Sequence, residues 1–320
     1  MFVQFILLFL GLGLVIWGAD TLVEGASAIA RRFGLSEFLI GLTIVGMGTS
    51  APEMVVSFIG AAQGNADISI GNVVGSNIFN TLLILGITGL LLSTPITREN
   101  RRRDIPEYIF IILLLGCLGM KASLFGVGVN GLTRWDGALL LLLFVLYMWQ
   151  SFSSRDASAA PEEEHAQPEI KPWLAVLMIL GGLGGLIAGG NFFVDAATAI
   201  ARDFGMSDKF IAITILAGGT SMPELATCVA AAIKKKGQMA LGNIIGSNMF
   251  NVLLILGGSA LISPLSFASI TWVDLGILLA SALSLLTACW TYRKNQLDWV
   301  DGLIMLALFA GYMSYLIIRL

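Results

Sequence analysis

Two glutamates embedded in apolar sequence carry the chemistry this chain could do. Glu53 closes the string Gly48-Thr49-Ser50-Ala51-Pro52-Glu53, and Glu224 closes its near copy Gly219-Thr220-Ser221-Met222-Pro223-Glu224. A second polar string follows each: Gly71-Asn72-Val73-Val74-Gly75-Ser76-Asn77-Ile78-Phe79-Asn80, then Gly242-Asn243-Ile244-Ile245-Gly246-Ser247-Asn248-Met249-Phe250-Asn251. On a helix Thr49 and Glu53 share a face with Ser50 at its margin, and Ser76 shares a face with Asn80. Thr220, Ser221 and Glu224 repeat the first arrangement, and Ser247 and Asn251 the second. The donors are carboxylate, hydroxyl and amide oxygens. Such a set suits the hard cations Ca²⁺ and Na⁺ and lacks the Cys and His that softer metals prefer.

Electrostatics points the same way. An unpaired carboxylate at mid-bilayer costs between ~3 and over ~10 kcal/mol depending on the reference state. No Lys or Arg lies in these four segments to pair with Glu53 or Glu224. Either a bound cation or a proton must neutralise them, so the two should compete.

The backbone contributes too. Pro52 removes the amide that would bond the carbonyl of Gly48, and Gly46 and Gly48 weaken the turn before it. Pro223, after Gly218 and Gly219, does the same. The helices are expected to break there and free carbonyl oxygens, which a membrane tolerates where the loosened backbone lines a cavity or binds an ion. Gly71, Gly75, Gly242 and Gly246 read as helix-packing positions. Asn77 and Asn248 read as interhelical hydrogen-bonding residues, and Asn72 and Asn243 look similar.

The elements that must position these residues follow from duplication. Glu53 to Glu224 and Asn80 to Asn251 span the same 171 residues, and that offset runs without a gap from Ile29/Ile200 to Gly86/Gly257. Asp136-Gly137, Phe144, Tyr147 and Met148 return at an offset of 165 residues as Asp301-Gly302, Phe309, Tyr312 and Met313. The chain is 57% hydrophobic and 12% charged, with mean hydropathy +0.87. Soluble domains carry roughly 25% charged residues, so this is a polytopic membrane protein.

Apolar runs near the ~20 residues needed to span a bilayer recur at about 2–22, 38–63, 68–92, 105–122, 134–152, 173–199, 209–232, 239–262, 271–291 and 299–318. The expected fold is all-α, with ten transmembrane helices as two inverted five-helix repeats and broken helices at the ion site. Residues 1–150 form the first repeat, 151–172 a flexible acidic linker holding Glu162, Glu163, Glu164 and His165, and 173–320 the second repeat. An odd number of spans per repeat turns the second copy upside down in the membrane. The first run reads as a retained helix, since no basic segment precedes it.

Basic residues orient the chain. Arg31, Arg32, Arg98, Arg101, Arg102, Arg103, Arg155, Lys171, Lys234, Lys235, Lys236, Arg293 and Lys294 fall in odd-numbered connections, 13 against the five of the other side, Lys121, Arg134, Arg202, Lys209 and Arg319. Cytoplasmic loops collect Lys and Arg, so both termini are expected outside the cytoplasm of a prokaryotic plasma membrane. Cys117, Cys228 and Cys289 are unpaired in sequence and read as small apolar residues.

GTSAPE with GNVVGSNIFN, and GGTSMPE with GNIIGSNMFN, resemble the two alpha repeats of the sodium/calcium exchanger family of the calcium/cation antiporter superfamily, in its prokaryotic single-chain form. The resemblance implies ten helices, the second, third, seventh and eighth forming a core around a diamond of ion sites, with the first and sixth sliding across it. It implies that Glu53 and Glu224 are carboxylates shared by Ca²⁺ and Na⁺, and that Thr49 and Thr220 add backbone carbonyls to the Ca²⁺ site. Ser50, Ser76, Ser221 and Ser247 would line Na⁺ sites together with the carbonyls of Gly46 and Ala217. Asn80 and Asn251 are amides where many relatives have an acid at the second position, and that acid goes with K⁺ use in K⁺-dependent members. K⁺-independence is the expectation.

The functional expectation is secondary active exchange of Ca²⁺ for Na⁺ by alternating access, with no cofactor, no nucleic-acid partner and a functional monomer. The alternatives are H⁺/Ca²⁺ antiport, since carboxylates titrate, and a cation channel. An intramembrane enzyme is disfavoured because no Ser/Lys, paired-Asp or His/Glu constellation lies in the spans.

Overall fold

The computed structural model describes residues 2–126, 128–153, 170–204 and 217–319. The helices are α1 Phe2–Phe33, α2 Glu37–Thr49, α3 Ala51–Ala62, α4 Ala66–Leu91, α5 Ile105–Gly119, α6 Lys121–Phe125 and α7 Arg134–Ser153. After them come α8 Pro172–Asp203, α9 Ala217–Gly219, α10 Met222–Ile233, α11 Gly237–Ile262, α12 Trp272–Thr287 and α13 Trp299–Arg319. The protein is a mostly helical membrane protein; among the described residues its strands are four two-residue pieces.

The ten apolar runs map onto these helices unevenly. Among the described residues six helices, α1, α4, α7, α8, α11 and α13, are long and apolar enough to cross a membrane, and the bent pair α2 and α3 makes a seventh. Helix α12 has 16 residues and α10 has 12, each short of the ~20 that a straight span takes, whereas α5 continues back through the wide turn Asn100–Asp104 and is set apart by the charges of Arg101, Arg102, Arg103 and Asp104. Residues 205–216, the start of the run expected at 209–232, lie outside the described residues, as does most of the linker expected at 151–172.

Helices α4 and α11 are the centre of the bundle. Ile70, Val73, Ile78, Leu82 and Leu85 of α4 and Ile244, Ile245, Val252, Leu253 and Leu256 of α11 are fully or almost fully buried. Helices α1, α7 and α13 instead expose large apolar side chains such as Trp17, Trp149 and Ile318, as a lipid-facing layer must. Helix α1 packs antiparallel on α8 through small residues seven apart: Gly11 faces Gly189, Gly18 faces Gly182, and Gly25 faces Ala175. At each position a β-carbon would run into the partner's main chain. Small residues let membrane helices approach closely enough for dispersion to replace the missing hydrophobic force.

The same device sets α2 against α11. A β-carbon on Gly242 or Gly246 would overlap the carbonyls of Phe38 or Leu42, and one on Gly41 would overlap that of Met239. At Gly71 and Gly75 no described residue lies within 4 Å of an added β-carbon, so the expected packing role is met at one pair of glycines among the described residues. Ser36 caps α2, accepting from the amide of Leu39 at 3.2 Å.

Two antiparallel ribbons join distant connections. Strand β1, Thr94–Pro95, pairs with β4, Gln296–Leu297, while β2, Gly131–Leu132, pairs with β3, Leu265–Ser266. The amide of Ile96 extends the first ribbon to the carbonyl of Asn295 at 2.7 Å.

Candidate cation site

The break expected before each proline is present, at Ser50 alone in the first half and over Thr220 and Ser221 in the second. Ser50 leaves helical geometry at φ −80° and ψ 6°, and Ser221 at φ −89° and ψ 7°. The axis bends by 47° between α2 and α3. Pro52 and Pro223 then sit in the first turn of α3 and α10, where a missing amide costs nothing. Glu53 and Glu224 also lie in those first turns. A helix N-terminus favours negative charge there, which lowers part of the cost of a buried carboxylate.

Each glutamate is held by the other half of the chain. Ser50 Oγ donates to Glu224 Oε1 at 3.0 Å, and Ser221 Oγ donates to Glu53 Oε1 at 3.2 Å. Ser247 Oγ lies between the Gly46 carbonyl at 3.2 Å and Glu224 Oε1 at 3.4 Å. The hydroxyl of Thr49 reaches the Gly46 carbonyl at 3.4 Å and Asn243 Oδ1 at 3.3 Å. Both carboxylates are wholly buried, and the second oxygen of each, Glu53 Oε2 and Glu224 Oε2, has no hydrogen-bond partner among the described residues.

Ser76 is buried one turn before Asn80 on α4. Asn80 Oδ1 and Asn251 Oδ1 are likewise buried without a partner among the described residues. Thr220 follows α9. Ala217 opens α9, next to residues outside the described set. Glu53, Glu224, Ser50, Ser221, Ser247, Thr49 and Gly46 are thus joined by direct contacts, and the Thr220 hydroxyl lies against the Glu53 carboxyl, whereas no described contact links Ser76 or Ala217 to them.

Wide π-helical turns border the cluster. Gly41–Val45 leads into Gly46, Phe79–Ile84 contains Asn80, and Asn251–Leu256 begins at Asn251. Such turns shift the hydrogen-bond ladder by one residue and occur often at functional sites. Nothing in the sequence marks them.

Several further polar residues meet here. Asn72 Nδ2 donates to the Glu53 carbonyl at 3.2 Å and to Ser57 Oγ at 3.1 Å. Asn243 Nδ2 donates to Cys228 Sγ at 3.3 Å, so that cysteine is more than apolar filling. Tyr108 and Thr81 enter through Asn248, whose Nδ2 donates to Thr81 Oγ1 at 2.8 Å and to the Tyr108 hydroxyl at 3.0 Å. Tyr108 and Thr81 have no matching residue in the other repeat, whereas the glutamates and asparagines of the cluster recur in it. Among the described residues no group of three or more His, Cys, Asp and Glu could hold a metal ion; neutral oxygens would have to supply most of any coordination shell. One Ca²⁺ or two Na⁺ would balance the two carboxylates.

Comparison with known proteins agrees with this geometry. The family model described as sodium/calcium exchanger protein matches residues 3–153 and 174–318. The chain is 40% identical to the protein named CaxA of Alkalimonas amylolytica over 320 residues, covering 98% of each. It is 30% identical to the sodium/calcium exchanger MaX1 of Methanosarcina acetivorans over 352 residues, again covering 98% of each. A solved structure of the sodium-calcium exchanger NCX_Mj superposes with a TM-score of 0.84 at 30% identity, covering 98% of both chains.

Proposed function

The chain belongs to the sodium/calcium exchanger protein family, and we propose that it exchanges Ca²⁺ for Na⁺ at one buried oxygen cluster that both ions use in turn. It is a transporter of small cations and not an enzyme. Glu53 and Glu224 are the charged ligands. The hydroxyls of Ser50, Ser76, Ser221 and Ser247, the amides of Asn80 and Asn251, and the carbonyls of Thr49, Thr220, Gly46 and Ala217 complete the shells.

One observation carries this reading: each carboxylate is bound by a serine of the opposite half through one oxygen and keeps the other unpartnered in a fully buried setting. A charged, unpaired oxygen in the bilayer is stabilised by a cation or a proton and by little else. Countertransport follows. The ion-free cluster is too costly to carry past apolar helices, so the carrier changes its facing only when neutralised, and one ion must replace another. Asn80 and Asn251 leave two formal negative charges, which suits Na⁺ and Ca²⁺ without K⁺.

The same reading extends to the topology: residues 1–150 and 173–320 are two inverted five-span repeats joined by 151–172, with α5, α12 and the α9 to α10 region each completing a span. The ribbons support it. Strand β1 precedes α5 and β2 follows it, while β3 precedes α12 and β4 follows it. Pairing β1 with β4 and β2 with β3 is consistent with both helices crossing, one ribbon on each membrane face. Arg98, Arg101, Arg102, Arg103, Arg293 and Lys294 flank the β1 and β4 ribbon, which supports a cytoplasmic ribbon with both termini outside, in a prokaryotic plasma membrane.

The deciding experiment is ⁴⁵Ca²⁺ flux into proteoliposomes under Na⁺, K⁺ and pH gradients imposed one at a time. Uptake driven by Na⁺ alone is expected. Uptake driven by the pH gradient alone would make the protein a proton antiporter, and single-channel currents would make it a channel.

A further inference from the structure

Four buried asparagines form two reciprocal pairs across the halves. Asn77 Nδ2 donates to the main-chain carbonyl of Asn248 at 3.1 Å. A carbonyl only accepts, so this bond fixes which end of the Asn77 amide carries nitrogen and turns its Oδ1 the other way. There Asn77 Oδ1 accepts from Asn251 Nδ2 at 2.9 Å. With its nitrogen engaged, Asn251 keeps its Oδ1 free of partners among the described residues.

The mirrored pair has the same outcome by a different anchor. Asn248 Oδ1 accepts from Asn80 Nδ2 at 3.3 Å, and Asn248 Nδ2 is engaged by Thr81 and Tyr108. Asn80 Oδ1 is the atom left unpartnered. All four side chains are fully buried, so water does not reorient them.

We propose that Asn77 and Asn248 are positioning residues: each holds the nitrogen of the other half's ion-facing amide, Asn251 or Asn80, and so presents its oxygen to the cation. This rests on the cation-exchange reading above. An amide has one ligating end and one repelling end, and a flipped Asn251 would aim hydrogens at Na⁺ or Ca²⁺. Tyr108 and Thr81 serve only the second pair, and their hydroxyls can exchange donor and acceptor roles. Asn251 is therefore oriented rigidly by a carbonyl, and Asn80 through a hydroxyl relay.

A carboxylate carries oxygen on both branches and needs no orientation, which supplies the test. Half-saturating Ca²⁺ and Na⁺ are measured in proteoliposomes for wild type, Asn77→Ala, Asn251→Asp and the double variant, and likewise for Asn248→Ala, Asn80→Asp and theirs. Asn77→Ala is expected to raise half-saturating Ca²⁺ by about tenfold, the scale of one ligand hydrogen bond. In the Asn251→Asp background the same change is expected to shift it less than about twofold, the additivity limit for uncoupled sites. An equal loss in both backgrounds, or no loss in either, overturns the proposal, since a residue that merely packs helices is not rescued by a carboxylate at position 251. Asn77→Ser replaces Asn77→Ala should the latter not fold. Calorimetric Ca²⁺ affinity in detergent is read on the same variants. If wild type shows no Na⁺-driven flux while this binding follows the expected pattern, the exchange reading fails and the positioning role stands; binding without that pattern overturns the role.

Discussion

Ser50 and Glu224 lie 174 positions apart in the chain, yet the hydroxyl of the first donates to a carboxylate oxygen of the second at 3.0 Å, and Ser221 repeats the bond on Glu53 at 3.2 Å. Each half of the molecule supplies a serine to the other half's glutamate. If both carboxylates serve one cation site, their removal should not be additive.

Glu53→Gln and Glu224→Gln are each expected to abolish Na⁺-driven Ca²⁺ uptake while the protein still folds, because an amide fits the space and needs no counter-charge. Adding Ca²⁺ at ~100 times its dissociation constant should stabilise wild type by about 2.7 kcal/mol, and neither variant. Thermal melts with and without Ca²⁺ read this out. A variant that keeps both uptake and the Ca²⁺ shift removes that glutamate from the site.

Ser50→Ala and Ser221→Ala should raise half-saturating Na⁺ by similar factors, about tenfold each, since a bond to a charged group is worth about 1.5–3 kcal/mol and part of that is recovered by the bound ion. Concentration curves for Na⁺-driven flux measure it. A tenfold effect at one serine with none at the other would mean that the reciprocal arrangement does not carry over into function.

Acid should inhibit. A proton on Glu53 or Glu224 must leave before a cation binds, so lowering the pH is expected to raise half-saturating Ca²⁺ without lowering the maximal rate at saturating Ca²⁺. Initial rates across a pH series at several Ca²⁺ concentrations separate the two parameters; a fall in maximal rate alone points to a different titrating group.

Replacing K⁺ by an inert cation on both sides should leave Na⁺-driven Ca²⁺ flux unchanged, because Asn80 and Asn251 add no negative charge for a further monovalent ion. A severalfold stimulation by K⁺ would refute this.

Gly246→Ala should cost about 1–3 kcal/mol, the usual price of overpacking, and should weaken Na⁺ affinity as well. Its new β-carbon meets the backbone of Leu42 and pushes α2 away from α11, which separates the Gly46 carbonyl from Ser247. Melting temperature and half-saturating Na⁺ should move together.

Much of this was legible in the residues. Proline three residues after threonine forecast the break at Ser50 and Ser221, and the 171-residue echo marked both glutamates. The π-helical turns were not legible, since Phe79–Ile84 reads like any apolar helix. Tyr108 was hidden because it has no echo. The ribbons were hidden because pairs such as Thr94 with Leu297 carry no periodicity and join residues far apart in sequence. Ten apolar runs gave six long helices, or seven with the bent pair, because hydropathy reports composition and not where hydrogen bonding stops.

The glycine seam between α1 and α8 imposes a timetable on biogenesis. Gly18 leaves the ribosome 164 residues before Gly182, and at about 5–20 residues per second the first span waits roughly ten to thirty seconds in the bilayer with its notched side unfilled. During that interval lipid, a translocase or an earlier-made span has to shield it.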